Sequence, residues 1–178
     1  MTEFEIIKGC VRQNQHCQRM LFEQYAGKFM TACRRYAKDE MEAEDILQEG
    51  FIRIFNNIQQ FKFEGSFEGW MRRIVVNVAL KSLQKKKIQL SEIKENTDNT
   101  PSLEPYAFNH LGEEDLLKII HRLPDGYRIV FNLAVIEGYS HEEIAKMLNI
   151  QASTSRSQLV KARKMLQQQI LEMQKIAV

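Results

Sequence analysis

The sequence predicts an all-α protein built from two small helical domains joined by a flexible linker. Apolar residues recur at helical spacing through residues 1–87 and again through residues 113–178. Between these stretches, residues 88–112 are rich in Ser, Asn, Thr and acidic residues and keep no helical period, which is typical of a linker. Only 8 Gly and 3 Pro interrupt the 178 residues, so long helices are possible on both sides.

Composition limits the classes of protein to consider. A hydrophobic content of 44% is enough for two small cores, and a formal net charge of +2 is too small to indicate nucleic acid by itself. The three cysteines lack the paired spacing of a zinc site and the even count of a disulfide framework, so we expect free thiols in a reducing compartment. The start is not a signal peptide, and no apolar run approaches the ~18 residues of a membrane span. We therefore expect a cytoplasmic protein without membrane insertion.

The stretch from Ser140 to Leu166 is typical of a helix-turn-helix. Ser140 and Glu143 form a capping-box pattern, which predicts a helix start, and Asn149 stands where the chain has to turn in a left-handed conformation. In the helix after the turn, apolar residues follow one stripe, and polar or basic residues occupy the free faces. The free residues that suit contact with DNA are Arg156, Ser157, Gln158, Lys161 and Lys164.

A plain solvated hairpin is the alternative, because any helical hairpin has a capped start, a turn and a polar outer face. The turn of about three residues between a short helix and a longer basic one favours the DNA-binding motif. Upstream, residues 113–121 predict one helix, and Pro124 opens another that runs from Asp125 to Glu137 before Gly138 ends it. The second domain is therefore predicted to hold four helices.

The first domain begins with residues 4–37, which predict two helices that meet near Ala26–Gly27 and serve as scaffold. Residues 39–49 then carry six acidic side chains and no basic one. Acidic residues early in a helix favour the positive end of its dipole, which explains part of this run. It does not explain why acidic and apolar residues share one face, which suits a basic protein partner. The residues of this face are Asp45, Gln48, Glu49 and Ile52. A carboxylate metal site is the other interpretation, but no His lies in this helix, so we expect no metal and no other cofactor.

The segment Phe61–Trp70 is a short loop with two glycines and four aromatic residues. The helix that follows has Arg73, Asn77 and Lys81 in a row at i, i+4 and i+8, and residues 62–87 carry seven basic and two acidic side chains. The rings either pack in the core or stack on bases, and we assign Trp70 mainly to the core. Because cations neutralise phosphates, the pattern predicts binding to single-stranded or melting DNA.

With these segments together, the chain resembles the bacterial sigma-70 family, and within it the extracytoplasmic-function class that keeps only regions 2 and 4. Residues 43–55 are similar to region 2.2, residues 63–87 to regions 2.3 and 2.4, and residues 123–166 to region 4. The resemblance implies a region 2 helical bundle and a region 4 helix-turn-helix. It also implies a promoter-specificity subunit without catalytic residues, which binds RNA polymerase core and directs transcription initiation.

The resemblance assigns roles to three groups of residues. The group implied to bind the clamp helices of the polymerase β′ subunit is Asp45, Gln48, Glu49, Phe51 and Ile52. The group implied to capture the melted −10 strand is Phe63, Ser66, Phe67, Arg73, Asn77 and Lys81. The group implied to read the −35 element in the major groove is Arg156, Ser157, Gln158 and Lys161. The β flap of the polymerase and, in many members, an inhibitory anti-sigma protein are further implied partners.

The recognition helix departs from the family pattern at three positions. Gln151 stands at the usual Ser cap, so Ser153 or Thr154 is an alternative cap. Gln158 stands where a basic residue is common, and Lys161 stands where Arg is common. Since Lys cannot form the bidentate fork of Arg, the −35 preference should differ from that of better-known members.

Two other functions stay open on the sequence alone. A stand-alone transcription regulator could use the same helix-turn-helix, but it would normally dimerise on a palindrome and would have no use for the acidic face or the aromatic loop. An enzyme acting on nucleic acid is the second. However, residues 141–143, His-Glu-Glu, are not the His-Glu-x-x-His zinc motif, and a phosphate-binding loop is missing.

Overall fold

The computed structural model describes residues 1–85 and 112–176, and within these ranges it contains helices and no β-strand. The chain divides into two compact units, Met1–Lys87 and Ile88–Val178. These observations confirm the predicted all-α fold with two helical domains. Most of the predicted linker, residues 88–111, lies outside the described residues.

The first unit is a bundle of helices whose starts are set by local caps. The helices are α1 (Glu3–Val11), α2 (Gln15–Tyr36), α3 (Glu40–Asn57) and α4 (Phe67–Lys85), with a 3₁₀ turn at Ile58–Gln60. The side chains of Thr2, Asn14 and Asp39 each accept a hydrogen bond from the amide three residues later, at 3.3, 3.1 and 2.9 Å. The acidic start of α3 is therefore partly a capping feature, as its sequence indicated.

The predicted break near Ala26–Gly27 is wrong, because α2 continues through it. The break lies instead at Gln13, which has a φ of 58°, and Asn14, which caps α2. Gly27 faces open space, since a Cβ built there would meet nothing within 4 Å. A glycine inside a helix costs only about 1 kcal/mol. The burial of residues on both sides of Gly27, such as Tyr25 and Phe29, outweighs that cost.

The core of the first unit lies where α2, α3 and α4 pack together, with α1 against α2. α3 and α4 approach closely at Gly50, where an added Cβ would lie 3.0 Å from a methyl group of Val75. The fully buried large side chains of this core are Ile7, Leu21, Phe29, Tyr36, Ile54, Met71 and Val75. The outer faces of α3 and α4 are therefore supported by a rigid core.

The second unit holds four α-helices within residues 112–176: α5 (Glu113–His121), α6 (Asp125–Phe131), α7 (His141–Leu148) and α8 (Ala152–Ile176). The long helix α8 packs against α5, α6 and α7. Buried side chains of α5, α6 and α8 form one apolar cluster, together with Leu123 between α5 and α6. Its members are Ile119, Ile120, Leu123, Tyr127, Ala162, Leu166 and Ile170.

The helix predicted from Asp125 to Glu137 changes its winding halfway. It is α-helical to Phe131 and π-helical over Asn132–Ile136, where the amide of Glu137 donates to the carbonyl of Asn132 at 2.9 Å. Gly138 then ends it with a φ of 77°, a conformation that glycine adopts without strain. Leu133, which lies within this π-helical turn, is fully buried.

Candidate functional site

The outer face of α3 is a mixed acidic and apolar surface. Asp45 and Gln48 are exposed, and Ile52 is 54% exposed. Glu49 is partly buried and forms an ion pair with Arg53 at 2.6 Å. Met41, at 71% exposure, extends the same face one turn toward the helix start. Met41 was not among the residues predicted for this face, although its spacing of four residues from Asp45 indicates it.

Phe51 does not belong to that surface, which corrects the role that the family resemblance implied for it. It is only 3% exposed, and its ring contacts those of Phe22 and Phe29, with centroids 4.7 and 6.0 Å apart. The position lies on the buried side of α3 together with Leu47 and Ile54. Phe51 therefore supports α3 from within and cannot contact a partner directly.

The loop before α4 presents one aromatic ring to solvent. Phe63 has a φ of 59° and is 50% exposed, and its ring lies 5.1 Å from the ring of Phe61. Ser66 is exposed at the start of α4, where its hydroxyl accepts a hydrogen bond from the amide of Gly69 at 3.2 Å. Ser66 is thus a helix cap as well as a candidate DNA contact.

Phe67 is buried, contrary to the direct role in DNA capture that the resemblance implied. It is 2% exposed and stacks on Trp70, with ring centroids 5.7 Å apart and planes at 13°. Its ring also meets that of Phe61 at 4.9 Å. Phe67 is the first residue of α4 and faces the core, whereas Gly69, two residues later, is exposed. Trp70 is partly buried in the same cluster, consistent with its assignment to packing.

The outer face of α4 carries the predicted polar row. Arg73, Asn77 and Lys81 are all exposed, one turn apart along the helix. The opposite side of the helix is buried through Met71 and Val75. The cationic residues 86 and 87 at the end of the predicted row lie outside the described residues.

The helix-turn-helix has the predicted local structure. The hydroxyl of Ser140 accepts from the amide of Glu143 at 3.2 Å, and the amide of Ser140 donates to the Glu143 carboxylate at 2.9 Å. Asn149 ends α7 with φ 55° and ψ 48°, the left-handed conformation expected for it. These two features set the length of α7 at two turns.

Gln151 occupies the cap position of α8, so the alternative caps are wrong. Its carbonyl accepts from the amide of Ser155 at 3.1 Å, and α8 begins one residue later at Ala152. Ser153 and Thr154 lie inside the first turn of the helix. The hydroxyl of Ser153 donates to the Gln151 side chain at 3.4 Å.

The exposed face of α8 differs from the predicted one at Gln158. This side chain is 7% exposed, and its Oε1 has no hydrogen-bond partner among the described residues. It lies on the buried side with Ser155 and Leu159, so it does not face DNA in this structure. Val160 and Arg163, which the sequence analysis missed, are exposed instead. Between residues 156 and 163, the exposed residues of α8 are Arg156, Ser157, Val160 and Arg163, and Lys161 is half-buried beside them.

Two contacts fix α8 against the start of α7. The guanidinium of Arg156 meets the carboxylate of Glu142 at 2.5 Å, with both side chains exposed. The ring Nδ1 of His141 lies 2.8 Å from the hydroxyl of Ser155, which is fully buried. The first contact orients a side chain of the candidate DNA-binding face, and the second joins the two helices beneath it.

Other kinds of site find little support in the described parts of the chain. Residues 1–85 and 112–176 bring together no group of three His, Cys, Asp or Glu side chains that could hold a metal ion. In the same ranges, none of the helices has both the length and the apolar composition needed to cross a membrane.

Comparison with known proteins gives two family matches. The family described as sigma-70 region 2 matches residues 21–88, and the family described as sigma-70 region 4 matches residues 113–166. The ECF RNA polymerase sigma factor SigE of Mycolicibacterium smegmatis is 33% identical over 152 residues, which cover 82% of this chain and 58% of that protein. The sigma factor SigW of Bacillus subtilis is 29% identical over 179 residues, 94% of this chain and 96% of that one.

Two solved structures share the fold. CnrH in complex with the cytosolic domain of CnrY is 17% identical, with a TM-score of 0.52 over 93% of this chain and 94% of that one. The sigma factor RpoE in complex with the anti-sigma factor NepR from Bartonella quintana is 20% identical, with a TM-score of 0.52 over 85% of this chain and 96% of that one. At these identities the likeness concerns the fold alone.

The two family matches fall on the two structural units, and together they include α2 from residue 21 onward, α3 to α7 and the candidate DNA-binding part of α8. The chain therefore belongs to the sigma-70 family, in its extracytoplasmic-function class, whose members bind RNA polymerase and promoter DNA to direct transcription initiation.

Proposed function

We propose that this chain is a promoter-specificity subunit that reads a −35 duplex with its second unit and captures the melted −10 strand with its first. The observation that carries the proposal is that one chain presents two exposed surfaces, one with the side chains to bind a single strand of DNA and one with the side chains to bind a duplex. One surface consists of Phe63, Arg73, Asn77 and Lys81, and the other of Arg156, Ser157, Val160 and Arg163 with the half-buried Lys161 beside them. A duplex reader alone would need only the second surface.

The first turns of α8 read the −35 element. In a helix-turn-helix, the residues near the start of the second helix contact base edges in the major groove. Arg156 can donate two hydrogen bonds to one guanine, and the exposed methyl groups of Val160 can contact a thymine methyl. Lys161 and Arg163 suit phosphate contacts, which add affinity without sequence preference. Gln158 takes no part, since it is buried.

The loop before α4 and the outer face of that helix bind the −10 strand. The half-exposed ring of Phe63 can stack on an unpaired base. From Arg73 to Lys81 the helix rises about 12 Å, at ~1.5 Å per residue, which corresponds to about three phosphates of a stacked strand. Base stacking and phosphate neutralisation together offset the cost of unpairing, which is a few kcal/mol per extruded base.

The outer face of α3 binds the polymerase core. Met41 and Ile52 supply exposed apolar area, and Asp45 supplies negative charge between them. A partner surface with basic residues around an apolar centre is complementary to this face. The family's docking site on the β′ clamp helices is the partner we propose, and the β flap is proposed to receive the second unit. We propose that the protein acts in the bacterial cytoplasm, where RNA polymerase and DNA are found.

An anti-sigma protein is a further proposed partner. Two of the solved structures that share the fold contain a second protein chain, which is the anti-sigma factor NepR in one and the cytosolic domain of CnrY in the other. A protein that covers the α3 face or the α8 face would block core or promoter binding. Co-purification of a tagged form of this chain from its own host would test for such a partner.

Run-off transcription tests the central proposal. Purified RNA polymerase core is given promoter fragments from the host genome, with and without this protein. We expect new transcripts that depend on the protein and start at a fixed distance from shared −35 and −10 sequences. If the protein binds duplex DNA alone but neither binds core nor supports initiation, a stand-alone regulator is the correct function.

A further inference from the structure

An additional surface is formed by the loop before α4 and by α1, which precedes residue 21, where the first family match begins. We propose that this surface is a second nucleotide subsite, which binds one unpaired base of the promoter strand and its phosphate next to Phe63. The proposal rests on the proposed −10 function and extends it to Phe4, Lys8 and Arg12.

A continuous series of aromatic rings leads from the core to this surface. Ring centroids lie 4.9 Å apart for Phe67 and Phe61, 5.1 Å for Phe61 and Phe63, and 5.1 Å for Phe63 and Phe4. The inner two rings are buried, whereas Phe63 is 50% and Phe4 is 48% exposed. Two adjacent half-exposed rings anchored on a rigid core are unusual on a soluble surface and are typical of a binding site. They are also the arrangement on which bases stack.

A small groove lies beside Phe63, the inner of the two half-exposed rings. Its volume is about 210 Å³, below the range typical of pockets for drug-sized ligands, so a single flat ring system suits it. Apolar side chains form the walls: Ile7, Val11, Ile58, Phe61 and Phe63. The polar lining consists of Lys8, Arg12 and Gln59. The Gln59 amide can both donate to and accept from the edge of a base.

The charge on the α1 side of the groove is positive. Phe4, Lys8 and Arg12 follow one another at four-residue spacing, and the Lys8 ammonium lies 4.2 Å from the centroid of the Phe4 ring. The nearby carboxylates of α1 are engaged elsewhere: Glu5 accepts from the amide of Thr2 at 2.7 Å, and Glu3 accepts from the hydroxyl of Tyr25 at 3.0 Å.

Glu64 is the acidic neighbour of Phe63 in the loop, and it faces solvent. It does not line the groove, whereas Lys8 and Arg12 do. Two cations beside two aromatic rings match a nucleotide, with its phosphate and its base, better than they match an acidic peptide, which would leave the rings without a flat partner. Continuity with Phe63, the proposed −10 contact, makes the next nucleotide of the same strand the occupant.

Photocrosslinking tests the identity of the occupant. Phe4 is replaced by p-benzoylphenylalanine in the full chain, which is assembled with polymerase core on promoter DNA labelled in the non-template strand. We expect a crosslink to one or two adjacent nucleotides of that strand in the open complex. The same replacement at Phe22, another aromatic residue with 39% exposure, is the matched control and should not crosslink to DNA. Crosslinks from position 4 to polymerase subunits only, or to nothing, would overturn the proposal.

Open-complex lifetime tests the energetic role. After heparin challenge, Phe4→Ala and Lys8→Ala should each shorten the lifetime, by roughly five- to thirty-fold for Phe4→Ala, as expected for the loss of one base stack. An abasic site at the crosslinked nucleotide should have a similar effect, and it should remove most of the effect of Phe4→Ala. Ala favours helix and Phe4 is half exposed, so α1 should stay folded. Arg19→Ala, which removes an exposed cation of α2, is the matched control for Lys8.

The failure of this proposal is distinguishable from the failure of the proposed function. If Lys81→Ala shortens the lifetime while Phe4→Ala and Lys8→Ala do not, the −10 function stands and the second subsite does not exist. If none of the three variants changes the lifetime, the proposed −10 surface is wrong as well.

Discussion

The ion pair between Glu142 and Arg156 allows a quantitative test of how the second unit reads DNA. The two groups meet at 2.5 Å, and their side chains are 62% and 56% exposed. Because exposed ion pairs contribute about 0–1 kcal/mol, Glu142→Gln should lower the free energy of unfolding by less than about 1 kcal/mol. An Arg side chain aligned on a guanine discriminates between bases by about 1–3 kcal/mol. We therefore expect Glu142→Gln to change base discrimination more than stability.

The physical reason is that Glu142 limits the directions in which the Arg156 guanidinium can point. Without this carboxylate, Arg156 can contact a phosphate, which favours every sequence equally. Loss of a negative charge near DNA should also strengthen non-specific binding. The assay is equilibrium binding of the holoenzyme to a promoter and to each single-base-pair variant of its −35 element, at two salt concentrations. We expect Glu142→Gln to reduce discrimination at one base pair by about three-fold or more, and Arg156→Ala to reduce it further at the same base pair.

A double-mutant cycle decides whether Glu142 acts through Arg156. In the Arg156→Ala background, Glu142→Gln should cause no further loss of discrimination. An independent, additive loss would refute the reasoning, and so would a decrease of several kcal/mol in the free energy of unfolding. Glu23→Gln is the matched control, since Glu23 pairs with Arg19 in a similarly exposed ion pair of α2. It should leave −35 discrimination unchanged.

Four further predictions follow from burial and exposure. Gln158→Leu should leave the free energy of unfolding unchanged or raise it by about 1 kcal/mol, because it removes a buried oxygen without a hydrogen-bond partner among the described residues. It should also leave −35 discrimination unchanged in the same binding series, and a loss at one base pair would show that Gln158 reaches DNA. Phe51→Ala should lower the free energy of unfolding by about 3–5 kcal/mol in urea titrations. Ile52→Ala should lower it by less than about 1 kcal/mol but weaken core binding, and the opposite pattern would contradict the assigned faces of α3. Burial raises the pKa of the Cys10 thiol to about 11 and that of Cys33 to about 12. These thiols should therefore stay protonated at pH 8 and react with iodoacetamide only on unfolding, so rapid labelling of Cys10 or Cys33 in the native protein, located by peptide mapping, would refute their burial.

Local interactions explain which parts of the fold the sequence predicted correctly. The length of α7 follows from Ser140, Glu143 and Asn149, whose hydrogen bonds and backbone preference involve neighbours within a few residues. The stop at Gly138 has the same origin, because glycine adopts a positive φ without strain. These features need no knowledge of the rest of the chain, so sequence reasoning finds them.

Competition between local preference and packing explains the incorrect predictions. Gly27 favours a break by propensity, but the burial of Tyr25 and Phe29 against other helices outweighs that preference. Over Asn132–Ile136 the apolar spacing predicts an α-helix, yet the segment winds as a π-helix with Leu133 fully buried. In the first case the deciding contacts come from residues distant in sequence, such as Phe51 against Phe29.

The sequence by itself determined the helical fold, the helix-turn-helix and the chemistry of the three candidate surfaces, because these depend on residue type and on spacing along one helix. Only the tertiary structure decided which members of each surface are available. Phe51, Phe67 and Gln158 match family positions in sequence, but they point into the cores of their units. The pairing of Phe4 with Phe63 is likewise invisible in the sequence, since it joins residues 4 and 63 from separate elements. Helical spacing shows which residues share a face, whereas the neighbouring helices determine which face is buried.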